Sequence, residues 1–288
     1  MDRTPAAAFT GSPLLLAVLT CLAMAAFAAN SLLARAAFQT TPIDAASFTA
    51  IRLASGALTL CAILKLRRGR LGASRAGWQS ALLLFTYAAA FSFAYRDIGT
   101  GAGALVLFAS AQLLMISYGL LRGERASPWG LLLALGGMAA FLAPSASSPP
   151  PGAAALMALA GFAWGGFSLL GRSSGEPVAS TAASFIWAVP CALLLVLVRG
   201  TQLHLDGMGI LYALLSGCLA SGIGYAVWYW VRVRIPAISA GAVQLSVPVI
   251  SAVFGVALLG EHVTARSVLC ALATLGGVAW VTLTARRR

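Results

Sequence analysis

Polar and aromatic side chains inside long apolar stretches are the residues of this chain whose types could do chemistry. Some are spaced so that they share one face of a helix, as Tyr87 and Phe91 do at four residues apart. Such side chains can enclose an apolar group and hydrogen-bond a polar one, which is non-covalent binding rather than bond breaking. The candidate binding residues are Asn30, Tyr87, Phe91, Phe108, Gln112, Trp164, Tyr225 and Gln244.

Groups that could catalyse a reaction or hold a metal ion are scarce in the same stretches. All seven Asp and Glu lie in predicted loops or at the ends of apolar stretches, and His204 and His262 lie in predicted loops. The five cysteines form no C-x-x-C motif and sit among apolar residues, where cysteine behaves as a small hydrophobe. We therefore expect no enzyme, no metal site and no cofactor.

Lysine and arginine are likewise predicted to stay away from the centres of the apolar stretches, and Arg52 is assigned to the outer end of one. A buried carboxylate would be needed to bind a cationic drug, and a buried Lys or Arg to bind an anionic metabolite. With neither expected, the predicted partner is a neutral or zwitterionic small molecule.

Composition indicates where these side chains are held. About 60% of the 288 residues are apolar and only 9% are charged, against roughly half and a quarter in soluble domains. The apolar residues come in runs of about twenty, which is enough to cross a bilayer. The chain is thus predicted to be an integral membrane protein that has the lipid bilayer as a partner.

The net charge of +12 could suggest binding to nucleic acid, but the basic residues lie at the ends of apolar runs and in short loops. The positive-inside rule accounts for that placement and puts both termini in the cytoplasm. Tyr and Trp near span ends are expected at the membrane interface, namely Trp78, Tyr95, Trp129 and Trp230. The predicted fold is all-α, with ten transmembrane helices at residues 13–36, 44–64, 78–96, 99–121, 127–144, 152–172, 178–198, 208–231, 236–259 and 264–284.

The chain also contains an internal repeat. A shift of 137 residues places SLLAR (31–35) on SLLGR (168–172), Gly123-Glu124 on Gly260-Glu261, and Phe27 on Trp164. The predicted halves are residues 1–147 and 148–288, with five helices each. Because five is odd, the second half must lie inverted in the membrane, which is typical of secondary transporters with a binding site between their halves.

Three further residues are predicted to have a structural or gating role. Arg35 and Arg172 occupy matching positions at the ends of the first and sixth helices, where a cation is favoured by the helix dipole. Pro248 is expected to bend the ninth helix because proline removes a backbone hydrogen bond.

Two inverted five-helix halves, each with a Gly-Glu turn before a last helix that contains Gly-Gly, resemble the EamA-type members of the drug/metabolite transporter superfamily. The overall character is most similar to that of the family's aromatic amino-acid exporters. This resemblance implies export of amino acids or similar metabolites across a bacterial inner membrane, with the fifth and tenth helices outside the binding cavity. Export of another neutral metabolite or drug is the alternative, and an intramembrane enzyme or a structural membrane protein is disfavoured.

Overall fold

The helices follow one another through the chain with short connections. The computed structural model describes residues 12–68, 77–123, 126–144, 148–171, 176–200, 203–232, 234–235 and 243–284, and these residues contain helices and no strand. The helices are α1 (Pro13–Thr40), α2 (Ala45–Leu66), α3 (Gly77–Ala94), α4 (Thr100–Leu121), α5 (Pro128–Leu142), α6 (Pro151–Leu170), α7 (Pro177–Arg199), α8 (Gly207–Leu215, Ser216–Ile223 and Gly224–Arg232 in succession), α9 (Ser246–Leu259) and α10 (Ala265–Thr284).

Seven of the described helices are long and apolar enough to cross a membrane: α1, α2, α4, α6, α7, α8 and α10. By contrast, α5 and α9 are apolar but have only 15 and 14 described residues. Residues 236–242, the first part of the predicted ninth span, lie outside the described residues. The all-helical membrane architecture is therefore supported, and the number of ten membrane crossings stays a prediction.

Helix starts follow from local sequence. Proline occupies the first turn of α1, α5, α6 and α7, where its missing N–H would have had no helical partner. The side chains of Ser12, Asp44, Ser127 and Asp206 accept hydrogen bonds from backbone N–H groups at the starts of α1, α2, α5 and α8. These caps satisfy donors that the helix itself leaves free, so local sequence sets the starts of these four helices.

The loops that follow α1, α3, α5, α7 and α9 meet at one end of the bundle, which we call the Glu261 end. There the Asp44 N–H donates to the His204 carbonyl, and the His204 N–H donates to Asp44 Oδ2 at 3.0 Å. Arg266 Nη2 donates to the carbonyls of Ala140 and Ala143 at the end of α5. Successive helices therefore alternate in direction.

Glycine allows close helix contacts and tight turns at a few positions. The helix pair α5 and α10 packs backbone against backbone, since a Cβ on Gly137 would lie 2.6 Å from the Thr274 nitrogen and one on Gly277 would meet Ala134. The glycines of the two Gly-Glu turns, Gly123 and Gly260, have φ of 84° and 64°. This left-handed conformation ends α4 and α9 and is strained for other residues.

The outer surface of the bundle is apolar. Large side chains such as Leu58, Leu121 and Leu197 are exposed, although water-soluble proteins rarely expose extended apolar patches. Inside, the larger of two buried clusters of described residues contains residues from every helix from α1 to α9. The surface thus fits a lipid environment, and the buried cluster is where polar side chains stand out.

Candidate functional site

Five aromatic side chains from four helices meet in the middle of the bundle. The ring of Trp164 on α6 lies 5.2 Å from that of Tyr87 on α3 and 5.4 Å from that of Tyr225 on α8, centroid to centroid. Phe27 on α1 lies 5.6 Å from Tyr225 and 6.0 Å from Trp228. All five are buried. We call them the aromatic cluster: Phe27, Tyr87, Trp164, Tyr225 and Trp228.

A chain of hydrogen bonds begins at one member of that cluster. The Tyr87 hydroxyl accepts from Asn30 Nδ2 at 3.2 Å and from Arg52 Nη2 at 2.8 Å. Ser216 donates to Asn30 Oδ1 at 2.5 Å, and Arg52 Nε donates to Ser221 Oγ at 3.4 Å. These five residues, which we call the polar network, join α1, α2, α3 and α8. Because Tyr87 belongs to both groups, the site has an apolar side and a polar side.

Arg52 corrects a sequence-based expectation. The side chain was predicted at a span end, with no arginine near a span centre, yet Arg52 is only 1% exposed and lies seven residues inside α2. Seven residues correspond to about 10 Å along a helix. Its guanidinium carbon stacks 4.6 Å from the ring centre of Phe91 and 5.0 Å from that of Tyr87. Packing against α3 and α8 holds the charge inside the bundle, whereas the sequence-based prediction assigned Arg52 to the outer end of the span.

The irregular middle of α8 brings its serines to the polar network. Residues Ser216–Ile223 form a π-helical segment, a rare form that often occurs at functional sites. A Cβ on Gly217 would collide with Ser55 Oγ and with the Arg52 carbonyl, and one on Gly222 would lie 2.7 Å from Thr59. The two glycines therefore allow α8 to approach α2 closely enough for Ser221 to reach the guanidinium.

Arg35 is bound differently, at the Glu261 end. Its Nη1 donates to the carbonyls of Tyr95 and Arg96 just beyond α3, and its Nε lies 3.5 Å from Glu261 Oε1. Glu261 accepts from the Thr100 N–H at 2.8 Å and from the Thr100 hydroxyl at 3.0 Å, at the start of α4. A cation at one helix end and an anion at the next helix start each favour the local dipole. We call this group the Arg35–Glu261 clamp.

The remaining predicted residues make no hydrogen bond or ring contact with the two groups in the described part of the chain. Phe108 and Gln112 are buried on α4, without a hydrogen bond to the polar network. Gln244 is half-buried in a short helical turn that Leu245 separates from α9. Pro248 is the third residue of α9. A proline ring displaces the carbonyl four residues earlier, here that of Gln244, so the helix is interrupted near that residue. Arg172 lies outside the described residues.

The prediction that Tyr95 lies at the membrane interface is wrong. Tyr95 is completely buried, donates from its hydroxyl to the Thr100 carbonyl at 3.3 Å and packs against Phe91 and Gly103. Trp78 and Trp129, by contrast, are 68% and 69% exposed at helix starts. Position near a span end does not separate these cases, because Tyr95 points into the bundle and the two tryptophans point out of it.

Sequence reasoning did not select Phe27, Arg52, Ser216, Ser221 or Trp228 as site residues. Serine is common in membrane helices, where it often bonds its own helix. Arg52 was the detectable signal, since a charge eight residues into an apolar run is costly and marks a functional position by default. Its neighbourhood SFTAIRLASG is rich in small and hydroxyl residues, which is typical of a helix packed on all sides.

Comparisons with known proteins give the family. Residues 152–283 match the EamA-like transporter family. The uncharacterized protein PA1977 of Pseudomonas aeruginosa is 53% identical over 267 residues, which is 92% of this chain and 93% of that protein. The uncharacterized transporter YoaV of Bacillus subtilis is 36% identical over 75 residues, 26% of each chain.

A protein of known crystal structure shares the fold. It superimposes with a TM-score of 0.67 at 19% identity, over 92% of this chain and 98% of that one. The relative from Pseudomonas aeruginosa and this solved structure each cover 92% of the chain, and the apolar helices and apolar surface described above fit a membrane protein. The chain is a multi-pass membrane protein that belongs to the EamA-like transporter family.

Proposed function

We propose that this protein is an alternating-access carrier that exports neutral amino acids with aromatic or apolar side chains across a bacterial inner membrane. The observation that carries the proposal is the shared position of Tyr87, which joins an aromatic cluster to a polar network in the middle of the bundle. The aromatic cluster would hold the side chain of the amino acid. The polar network would bind its charged backbone groups.

The proposed mechanism uses two inverted halves, residues 1–147 and 148–288, with both termini in the cytoplasm. Phe27 and Trp164, which are equivalent under the 137-residue shift, contact each other at 6.4 Å between ring centres. Equivalent residues meet when they lie near the axis that relates two halves, and a carrier of this kind binds its substrate there. The left-handed glycines at both Gly-Glu turns also support the repeat.

The carrier is proposed to run down the substrate gradient without proton coupling. A coupled exporter needs a group inside the site that gains and loses a proton, and carboxylates commonly do this in membrane transporters. Within the described residues every Asp and Glu lies in a loop or at a helix end. The proposal also fits the overall resemblance to the aromatic amino-acid exporter YddG of the same superfamily.

Counterflow in liposomes tests this function. Vesicles that contain purified protein and unlabelled phenylalanine are diluted into trace labelled phenylalanine, with and without a proton uncoupler. We expect rapid uptake of label that the uncoupler leaves unchanged. Uptake abolished by the uncoupler would overturn the facilitator mechanism, and no uptake by folded protein would overturn the substrate.

A matched pair of tryptophan variants tests the position of the site. Trp164 is buried in the aromatic cluster, whereas Trp129 is exposed at the start of α5. Loss of aromatic stacking costs about 1 kcal/mol beyond lost burial, so Trp164→Ala should lower the counterflow rate at least fivefold and Trp129→Ala should not. Equal effects in two well-folded variants would place the site elsewhere.

A further inference from the structure

The guanidinium of Arg52 has an unused hydrogen-bond donor. Its Nη2 donates to the Tyr87 hydroxyl and its Nε to Ser221, but Nη1 is buried and has no hydrogen-bond partner in the described part of the chain. Leaving a charged donor unpaired inside a protein is costly. A buried charged donor without a partner is therefore a candidate for binding a ligand.

Its charge is also not matched by the protein. The described carboxylates stand at helix ends and in loops, and Glu261, which is bound to Arg35 and Thr100, belongs to the clamp. The rings of Phe91 and Tyr87 provide cation–π contacts, which stabilise a charge without neutralising it. An anion that entered the site would find one full positive charge and no competing carboxylate from the described residues.

Resting on the proposed carrier function, we propose that Arg52 binds the carboxylate of the substrate and that the site takes aromatic or apolar monocarboxylates whether or not they carry an amino group. Arginine binds carboxylate through two parallel N–H donors, which requires Nη1 together with a neighbouring nitrogen. Nη1 is free. On Nη2 and Nε, a carboxylate replaces the neutral acceptors Tyr87 and Ser221.

The position of Tyr87 determines the chemical nature of the group that is attached to the substrate carboxylate. A carboxylate on Arg52 lies beside Tyr87, whose ring is 5.2 Å from Trp164 in the aromatic cluster. A hydrocarbon group attached to that carboxylate therefore extends into the cluster. An ammonium group gains no ion pair there, so the carboxylate is required and the ammonium is dispensable.

Two analogues of phenylalanine that each lack one charged group test the inference in the counterflow assay. 3-Phenylpropionate keeps the carboxylate, and phenethylamine keeps the amine. We expect 3-phenylpropionate to compete with labelled phenylalanine at least as strongly as phenylalanine itself, and phenethylamine to compete at least tenfold less. Competition by phenethylamine alone, or by neither analogue, would overturn the inference while leaving phenylalanine transport intact.

Arginine variants test the assigned residue. Arg52→Gln removes the charge inside the site, and Arg96→Gln makes the same change at an exposed loop position. We expect Arg52→Gln to lower the entry of labelled 3-phenylpropionate at least tenfold relative to Arg96→Gln, and Arg52→Lys to restore part of it. An Arg52→Gln protein that still prefers 3-phenylpropionate over phenethylamine would overturn the role of Arg52.

Tryptophan fluorescence of the purified protein separates binding from transport, because Trp164 lies beside the site. Titration with 3-phenylpropionate should change the emission of the wild-type protein and not of Arg52→Gln. Binding without counterflow would support the carboxylate site and overturn the carrier function. Counterflow of phenylalanine without binding of 3-phenylpropionate would support the carrier function and overturn the carboxylate site.

Discussion

Arg35 and Arg52 lie on consecutive helices and are both largely withdrawn from solvent, but they are bound in opposite ways. Arg35 donates to two carbonyls and pairs with Glu261 across three helix ends. Arg52 has neutral partners, two aromatic faces and an unused Nη1. The difference indicates that the first arginine joins helices, whereas the second keeps binding capacity for a ligand. The variants below test that contrast through the thermal unfolding of detergent-solubilised protein.

Removal of the clamp carboxylate should have the largest effect on stability. Glu261→Ala leaves Arg35 without its anion and the Thr100 N–H without an acceptor. Hydrogen bonds to charged groups contribute about 1.5–3 kcal/mol, so we expect a loss of about 2–3 kcal/mol and a clearly lower unfolding midpoint. His262→Ala, an exposed neighbour, is the control. Equal midpoints for the two variants would show that the clamp does not stabilise the fold.

A methyl group added beside Arg52 should disturb the site by packing alone. Gly217→Ala places its Cβ against Ser55 and the Arg52 carbonyl, and overpacking of this kind costs about 1–3 kcal/mol. We expect about 2 kcal/mol of destabilisation together with slower counterflow, because α8 must move away from α2. Gly276→Ala, at an open position on α10, should not destabilise. A Gly217→Ala protein with wild-type stability would refute the close approach of the two helices.

The helix cap at Asp44 should contribute less and depend on pH. Burial acts to raise the pKa of this carboxyl, but hydrogen bonds from Ser47, His204 and Ala46 outweigh it, so the pKa lies below the usual value of 3.8. A lowered pKa stabilises the folded protein above about pH 4, and this stabilisation disappears as the pH falls through the folded-state pKa.

Asp44→Ala should accordingly cost about 1 kcal/mol at pH 7. The difference from wild type should shrink towards zero as the pH falls below 4, whereas Asp97→Ala, at an exposed loop position, should show little difference at any pH. A difference that persists unchanged at pH 3 would contradict the role of the ionised carboxylate.

The smallest expected stability effect is at Arg52 itself. A buried charge without a counter-ion carries a desolvation cost that an apolar side chain of similar length avoids, so Arg52→Met should keep or raise the unfolding midpoint. The same change at Arg35 should lower it, because Glu261 would lose its cation. If Arg52→Met destabilises as strongly as Arg35→Met, the contrast between the two arginines fails and Arg52 is structural.

Part of the site could be read from the sequence. Asn30, Tyr87, Phe91, Trp164 and Tyr225 stand out as polar or aromatic residues well inside apolar runs, and the structure brings them together around Tyr87 and Arg52. Their grouping depends on helix faces that periodicity can indicate. Gln112 and Phe108 carry the same signal but make no described hydrogen bond or ring contact with these residues. Composition could not predict this, since it does not reveal which buried face of α4 meets which neighbour.

The sequence by itself determined the membrane class, because long apolar runs and rare charges leave a bilayer as the suitable solvent. It also determined most helix starts, since proline and capping side chains act locally. Only the tertiary structure decided in which direction the side chains of Arg35, Arg52 and Tyr95 point. A charge or a tyrosine near the end of a run can turn towards the interface or into the bundle, and the neighbouring helices settle the direction. Those neighbours lie far away in sequence, at Ser221 for Arg52 and at Glu261 for Arg35.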